Sequence, residues 1–271
     1  MAEPIIELEN VSMRYETEKE SFQALDNINL HINKGDFVCL IGPSGCGKST
    51  LLSILEGLNP PSAGSARIEG KEIHGAGPER AVVFQNYSLF PWMSAKENVV
   101  FAIRESQKKV RKISRQQAEE TAVYFLEKVG LTGFEEKLPG ELSGGMQQRV
   151  AIARALACNP QILLMDEPFG AIDAKTRETL QHLLLKLWDE DEEKKTIVFV
   201  THDLDEALLL ADRIVFMSPG KIRQDITVNI PRPRDRDSLF NNEEYRNLHN
   251  TLVRLFYEQV GEKVGTGEFA I

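Results

Sequence analysis

Apolar and polar residues partly alternate over residues 4–15 and again over residues 24–32, with a charged loop at residues 16–21 between them. A two-residue period predicts half-buried strands, so two early strands are expected, forming an antiparallel sheet beside an α/β core. Residues 35–41 are instead a nearly unbroken apolar, β-branched run, which suits a buried strand. Residues 50–55 then carry apolar groups at helical spacing. Pro60, Pro61 and Gly64 mark a turn, and residues 65–68 and 71–73 read as short hairpin strands around Glu69 and Gly70. Residues 81–84 form a further strand candidate.

From residue 94 the period becomes helical. Ser94 followed by Glu97 is a capping-box signal for a helix through about Arg104. Ser114 caps a second helix through Val129, with Ala118, Ala122, Phe125 and Leu126 on one face and Gly130 ending it. Ser143 caps a third. Residues 94–157 therefore read as a helical subdomain inserted into the α/β pattern. Strands return at residues 161–166, 196–201, 213–217 and 220–228, with helices at 175–189, from Asp203, and at about 242–258. Residues 231–236 read as extended and residues 261–271 as loosely ordered.

Candidate chemistry sits where these elements meet. The strand of residues 35–41 runs into Gly42, Pro43, Ser44, Gly45, Cys46, Gly47, Lys48 and Ser49, followed by Thr50 and a helix: G-x-x-x-x-G-K-S between a strand and a helix N-terminus. Glycines let the backbone N–H groups turn inward, and the helix start adds partial positive charge, so polyphosphate settles there. Lys48 can reach the outer phosphates and the Ser49 hydroxyl can ligate magnesium. Cys46 is either oxidation-sensitive or a small filler.

The apolar strand of residues 161–166 ends in Asp166 and Glu167. Downstream of a phosphate loop, Asp166 fits magnesium and Glu167 fits a general base for an attacking water. Gln85 follows another strand, where ligand-contacting groups gather in α/β proteins, or is a plain loop amide. His202 ends the strand of residues 196–201 and is either a γ-phosphate contact or a structural imidazole. Ser143, Gly144 and Gly145 open a helix and make a second candidate anion site about a hundred residues after the first. Asp173 is placed to cap the next helix. Tyr15 is either a ring for adenine stacking or an ordinary strand-end tyrosine. Residues 86–94 form a loop rich in large apolar groups, either a docking patch or a buried anchor.

Composition narrows the picture. With 271 residues, 42% hydrophobic and 27% charged, a sizeable core is available in one large or two ordinary domains. A net charge of -9 argues against broad nucleic-acid contact, and the basic residues among 107–120 read as a solvated helix connection. No apolar run is long enough to span a bilayer, and residues 1–4 show no secretory signal. The three cysteines are an odd count without metal spacing, which fits reduced thiols.

Taken together, Tyr15, the phosphate loop, Gln85, the Leu-Ser-Gly-Gly-Met-Gln stretch at residues 142–147, the strand ending in Asp166 and Glu167, Asp173 and His202 resemble the ATP-binding subunit of ABC transporters of the importer type. The likeness covers about residues 4–230. Leu89-Phe90-Pro91-Trp92 and Pro231-Arg232-Pro233-Arg234-Asp235 resemble the nitrate/sulfonate/taurine branch.

The resemblance implies an α/β fold: a P-loop NTPase core with a parallel central sheet, an N-terminal antiparallel β subdomain and an inserted helical subdomain. It implies a cassette over residues 1–230 and a C-terminal extension with a helix over 231–271. It implies ATP and Mg2+ as cofactors, with Ser49, Gln85 and Asp166 around the metal, Glu167 as base, His202 on the γ-phosphate and Tyr15 on adenine. It further implies a head-to-tail homodimer in which Ser143, Gly144, Gly145, Gln147 and Asp173 reach the partner's ATP. The other implied partners are two transmembrane permease subunits, a solute-binding protein indirectly, and no nucleic acid. The expected place is peripheral, on the cytoplasmic face of the cell membrane.

Two other classes fit less well. A DNA-linked ATPase of this type needs a long coiled-coil insertion, but only about 90 residues without heptads separate Lys48 from Leu142, and a ribosomal one usually carries two cassettes. A phosphate-loop kinase leaves residues 142–147 unexplained.

Overall fold

The computed structural model describes residues 4–16, 21–108 and 113–266. Residues 1–3, part of the charged loop at 17–20, part of the basic connection at 109–112 and the tail at 267–271 lie outside the described residues. In chain order the strands are β1 (Pro4–Glu16), β2 (Ser21–Asn33), β3 (Phe37–Ile41), β4 (Ala63–Ile68), β5 (Lys71–Glu72), β6 (Arg80–Val83), β7 (Ile162–Asp166), β8 (Thr196–Val200), β9 (Arg213–Ser218) and β10 (Lys221–Thr227). The helices are α1 (Lys48–Glu56), α2 (Ala95–Gln107), α3 (Arg115–Lys128), α4 (Gly144–Ala157), α5 (Ala174–Asp189), α6 (Leu204–Leu210), α7 (Arg236–Asn241) and α8 (Glu243–Thr266). The chain forms two compact units, whose boundaries fall inside α1, before β4, after β5 and at the end of β8.

The first unit holds residues 1–51, 61–72 and 200–271. Its antiparallel sheet has the order β2-β1-β4-β5. Ile6 stands opposite Ile32, and Leu8 opposite Leu30, and these side chains are buried on one face as the two-residue period requires. β4 and β5 join through Glu69 and Gly70, both at positive φ, the geometry of a tight hairpin turn. β3 is buried at every residue, pairs parallel with β9, and β9 pairs antiparallel with β10.

The C-terminal extension differs from expectation at two places. Asp235 accepts a hydrogen bond from the Ser238 N–H at 2.9 Å, so the stretch expected to stay extended through Arg236 turns into α7. The prolines before it mask this capping signal. α8 also runs through Thr266 rather than stopping near Glu258. Phe256 packs edge-on against Phe216 of β9 with ring centroids 5.0 Å apart, and Leu252 and Leu255 are buried.

The second unit holds residues 52–60 and 73–199. β6 and β7 run parallel, with Val83 opposite Met165, and β8 is the next strand in the order. Ser94 forms the expected capping box on α2, and Ser114, expected as a cap, forms one with Gln117 on α3. Ala118, Ala122, Leu126, Val150, Ala151 and Ile152 are buried, so α3 and α4 pack through small and branched residues. This is the helical segment expected between the strands.

Candidate nucleotide site

β3 delivers the chain into the phosphate loop. Gly42 and Gly47 have φ of 151° and 105°. A Cβ at Gly42 would sit 2.3 Å from the Met217 carbonyl oxygen, and one at Gly47 would sit 2.7 Å from the Ala24 oxygen. Only glycine fits either place. α1 then starts at Lys48, so the loop opens directly onto helical N–H groups. Ser44, Gly45 and Ser49 are exposed on this loop, while Lys48 is buried. The Lys48 ammonium donates to the Gly42 oxygen at 2.8 Å and the Pro43 oxygen at 3.1 Å. It therefore cross-links the loop from within. Cys46 is 1% exposed and burial raises its thiol pKa against the pull of the Lys48 charge, so it packs as a small filler rather than as a reactive thiolate.

His202 belongs to the same unit. The Thr201 N–H donates to the Leu40 oxygen at 3.2 Å, which ties the residue before His202 to the strand feeding the loop. The Thr201 hydroxyl donates to Glu206 at 2.5 Å and accepts from the Asp203 N–H at 3.0 Å. Asp203 in turn caps α6 through the Glu206 N–H at 3.1 Å. The imidazole of His202 is exposed. Tyr15 is also exposed, near the end of β1 opposite Phe22.

The second unit gathers another set. β7 is buried through Met165 and ends with Asp166; Glu167 follows, and both carboxylates are half-buried. Glu167 has φ of 42°, a costly backbone for a non-glycine residue. The turn is held by the Gly170 N–H, which donates to the Glu167 oxygen at 3.1 Å. A Cβ at Gly170 would lie 3.4 Å from the Gln85 amide nitrogen and 3.7 Å from a Glu167 carboxylate oxygen. Gln85 and Glu167, 82 positions apart in sequence, thus flank one glycine. Glu56 is 8% exposed, and burial, then the charge of Asp166, raises its pKa to about 7.

Ser143 caps α4, accepting from the Met146 N–H at 3.3 Å, and both Ser143 and Gly144 are exposed. A Cβ at Gly145 would sit 2.5 Å from the Thr176 methyl. The Gln147 amide donates to the Leu142 oxygen at 3.1 Å. Asp173 caps α5 through the Thr176 N–H, and that hydrogen bonding lowers its pKa. The start of α4 and the loop carrying Asp173 therefore meet at Thr176.

The aromatic loop is fixed by two residues that sequence reading did not single out. Asn98, fully buried on α2, accepts from the Phe90 N–H at 2.8 Å and donates to the Phe90 and Met93 oxygens. Arg154 of α4 donates to the Ser88 oxygen at 2.6 Å and the Tyr87 oxygen at 2.9 Å. An asparagine at an apolar phase of a helix was the available signal for the first; nothing local marks the second. Phe90 packs edge-on against Phe101 with centroids 5.0 Å apart, while Trp92 is 70% exposed. The loop is anchored and still presents an apolar face. Beside it lies a groove of about 790 Å3 lined by Glu56, Phe84, Phe90, Phe101, Arg154 and Cys158 among others.

At the two ends of the basic connection, Lys108 pairs with Glu105 and Arg115 with Glu119, each a near neighbour in sequence, as a solvated face does. Among the described residues no helix is long and apolar enough to cross a membrane.

A glycine-lined strand-to-helix loop with a buried lysine, together with an apolar strand ending in Asp-Glu, defines a phosphate-loop nucleotide hydrolase. Comparison with known proteins narrows the class. The ABC transporter family model matches residues 25–170. The chain is 48% identical over 267 residues to the bicarbonate transport ATP-binding protein CmpD of Synechococcus elongatus, covering 95% of this chain and 92% of that one. It is 42% identical to the nitrate import ATP-binding protein NrtD of the same species, over 92% of this chain and 90% of that one. It is 43% identical to the nitrate transport protein NasD of Klebsiella oxytoca, over 94% and 97%. Among solved structures, the ATP-binding cassette MJ0796, in a dimeric post-hydrolysis state bound to ADP and Pi, superimposes with a TM-score of 0.74 at 36% identity, covering 83% of this chain and all of that one. The chain belongs to the ABC transporter family, as an ATP-hydrolysing subunit of the importer type.

Proposed function

We propose that two copies of this chain sandwich ATP and drive uptake of a small oxyanion through partner membrane subunits. Within one copy, Lys48 and the backbone N–H groups of Gly42, Ser44, Gly45, Cys46, Gly47 and Thr50 hold the phosphates in the loop that Pro43 shapes, and Tyr15 stacks on adenine. Ser49, Gln85 and Asp166 are a hydroxyl, an amide and a carboxylate, the hard oxygen donors that suit magnesium. Magnesium, when bound, neutralises phosphate charge and orients it. Glu167 takes the proton of the attacking water, and Gln85 beside it orients that water. His202 donates to the γ-phosphate. Ser143, Gly144, Gly145, Gln147 and Asp173 complete the site of the second copy.

The observation that carries the composite site is the start of α4. Ser143 and Gly144 are exposed there, and the Thr176 methyl leaves no room for a Cβ at Gly145, so that position carries no side chain. The dimeric form of the MJ0796 cassette supports the same reading. The cassette spans residues 1–230, with the helical subdomain at about 94–157 and the extension at 231–271. The exposed aromatic face around Trp92 supports a peripheral place on the cytoplasmic side of the membrane, against two permease subunits that a solute-binding protein serves. The names of the similar proteins point to bicarbonate or nitrate as the class of cargo. Replacing Glu167 by Gln tests the chemistry. ATP binding should persist while turnover falls by about 10²-fold or more. Retained turnover would contradict the assigned base.

A further inference from the structure

The C-terminal extension touches α6, the short helix that begins just after His202. α6 has seven residues and is held at both ends by the extension. At its first turn, the Tyr245 hydroxyl of α8 donates to Asp205 at 2.6 Å. His249, one turn further along α8, places its Nε2 3.6 Å from the same carboxylate oxygen. The Tyr245 and His249 rings stack with centroids 5.8 Å apart. Tyr245 is 4% exposed, and burial and the Asp205 hydrogen bond raise its pKa, so the hydroxyl keeps its proton. At the last turn of α6, buried Arg234 donates to the Leu208 oxygen at 3.0 Å and the Ala211 oxygen at 2.6 Å. Arg232 donates to the Leu210 oxygen at 2.5 Å. These are the carbonyls a helix leaves unpaired at its end, and a cation is favoured there.

A seven-residue helix is marginal alone. Its own cap is Asp203, one residue after His202, so any tilt of α6 is carried directly to the histidine backbone. We propose that the extension is a brace that sets the position of His202, with Tyr245 and His249 as positioning residues acting through Asp205. The inference rests on the reading of His202 as the γ-phosphate contact. It gives the residues beyond 230 a part in the timing of hydrolysis, apart from any contact with nucleotide.

The test uses the full chain and ATP hydrolysis at saturating and limiting ATP. Tyr245→Phe removes one hydroxyl and keeps the buried ring; His249→Ala acts at a less buried position. Each should lower kcat about three- to tenfold with KM for ATP within about twofold, because the brace acts on the catalytic contact and not on nucleotide capture. In a His202→Ala background, followed as single-turnover hydrolysis, Tyr245→Phe should add no further loss. Wild-type kcat in both single variants overturns the brace, as does an equal fold-loss with and without His202. If His202→Ala itself turns over like the wild type, it is the reading of His202 that fails.

Discussion

Glu56 offers a sharp physical prediction because the residue is 8% exposed, near Asp166, with a pKa raised to about 7 from 4.5. Burial penalises the charged form first, and the negative charge of Asp166 adds to it. A carboxyl whose folded pKa lies above its unfolded one helps stability fully below the unfolded value and loses that help as pH rises. The window here runs from about pH 4.5 to pH 7. At 1.36 kcal/mol per pH unit the loss above pH 7 is at most about 3 kcal/mol, and solvent screening of the carboxyl lowers it to about 1–3 kcal/mol. Glu56→Gln stays neutral throughout. It should match the wild type near pH 4.5 and be about 1–3 kcal/mol more stable at pH 8, a urea midpoint shift of up to roughly 1 M. Urea unfolding of the nucleotide-free chain at four pH values reads this directly. A variant no more stable than the wild type at pH 8, or a gain independent of pH, would refute the burial argument.

Gly47→Ala forces a Cβ to within 2.7 Å of the Ala24 oxygen at a φ of 105°. It should cost about 1–3 kcal/mol in denaturant unfolding and weaken ATP binding in a nucleotide titration. Wild-type affinity would show that the loop does not need this backbone. Trp92→Ala removes a ring that is 70% exposed. ATP hydrolysis by the isolated chain should stay within about twofold, while uptake by the reconstituted transporter falls several-fold more. Equal losses in both assays would make the ring a core anchor.

The local backbone around the candidate residues was readable because its physics is local. A phosphate loop needs glycines between a strand and a helix, and Gly42 and Gly47 show the contacts that demand them. Ser94, Ser114, Ser143 and Asp173 cap the helices that their spacing predicted. Asp166 and Glu167 end a buried strand as the apolar run required. What escaped depends on distant chain segments. Nothing in the sequence near Gln85 tells that it flanks Gly170 together with Glu167, or that Arg154 secures the oxygens of Tyr87 and Ser88. Glu56 looks like an ordinary last-turn glutamate until its burial is seen. Asp205 and Tyr245 are separated by 40 residues, so the bracing of α6 has no sequence pattern.

The central claim is that one chain holds half of each ATP site. Glu167→Gln with ATP and magnesium should pass through light scattering at twice the 30.5 kDa mass of the chain. Adding Ser143→Arg, which fills the exposed start of α4, should return it to 30.5 kDa. A Glu167→Gln chain that binds ATP yet stays at the single-chain mass, or a dimer indifferent to Ser143→Arg, would contradict the shared site.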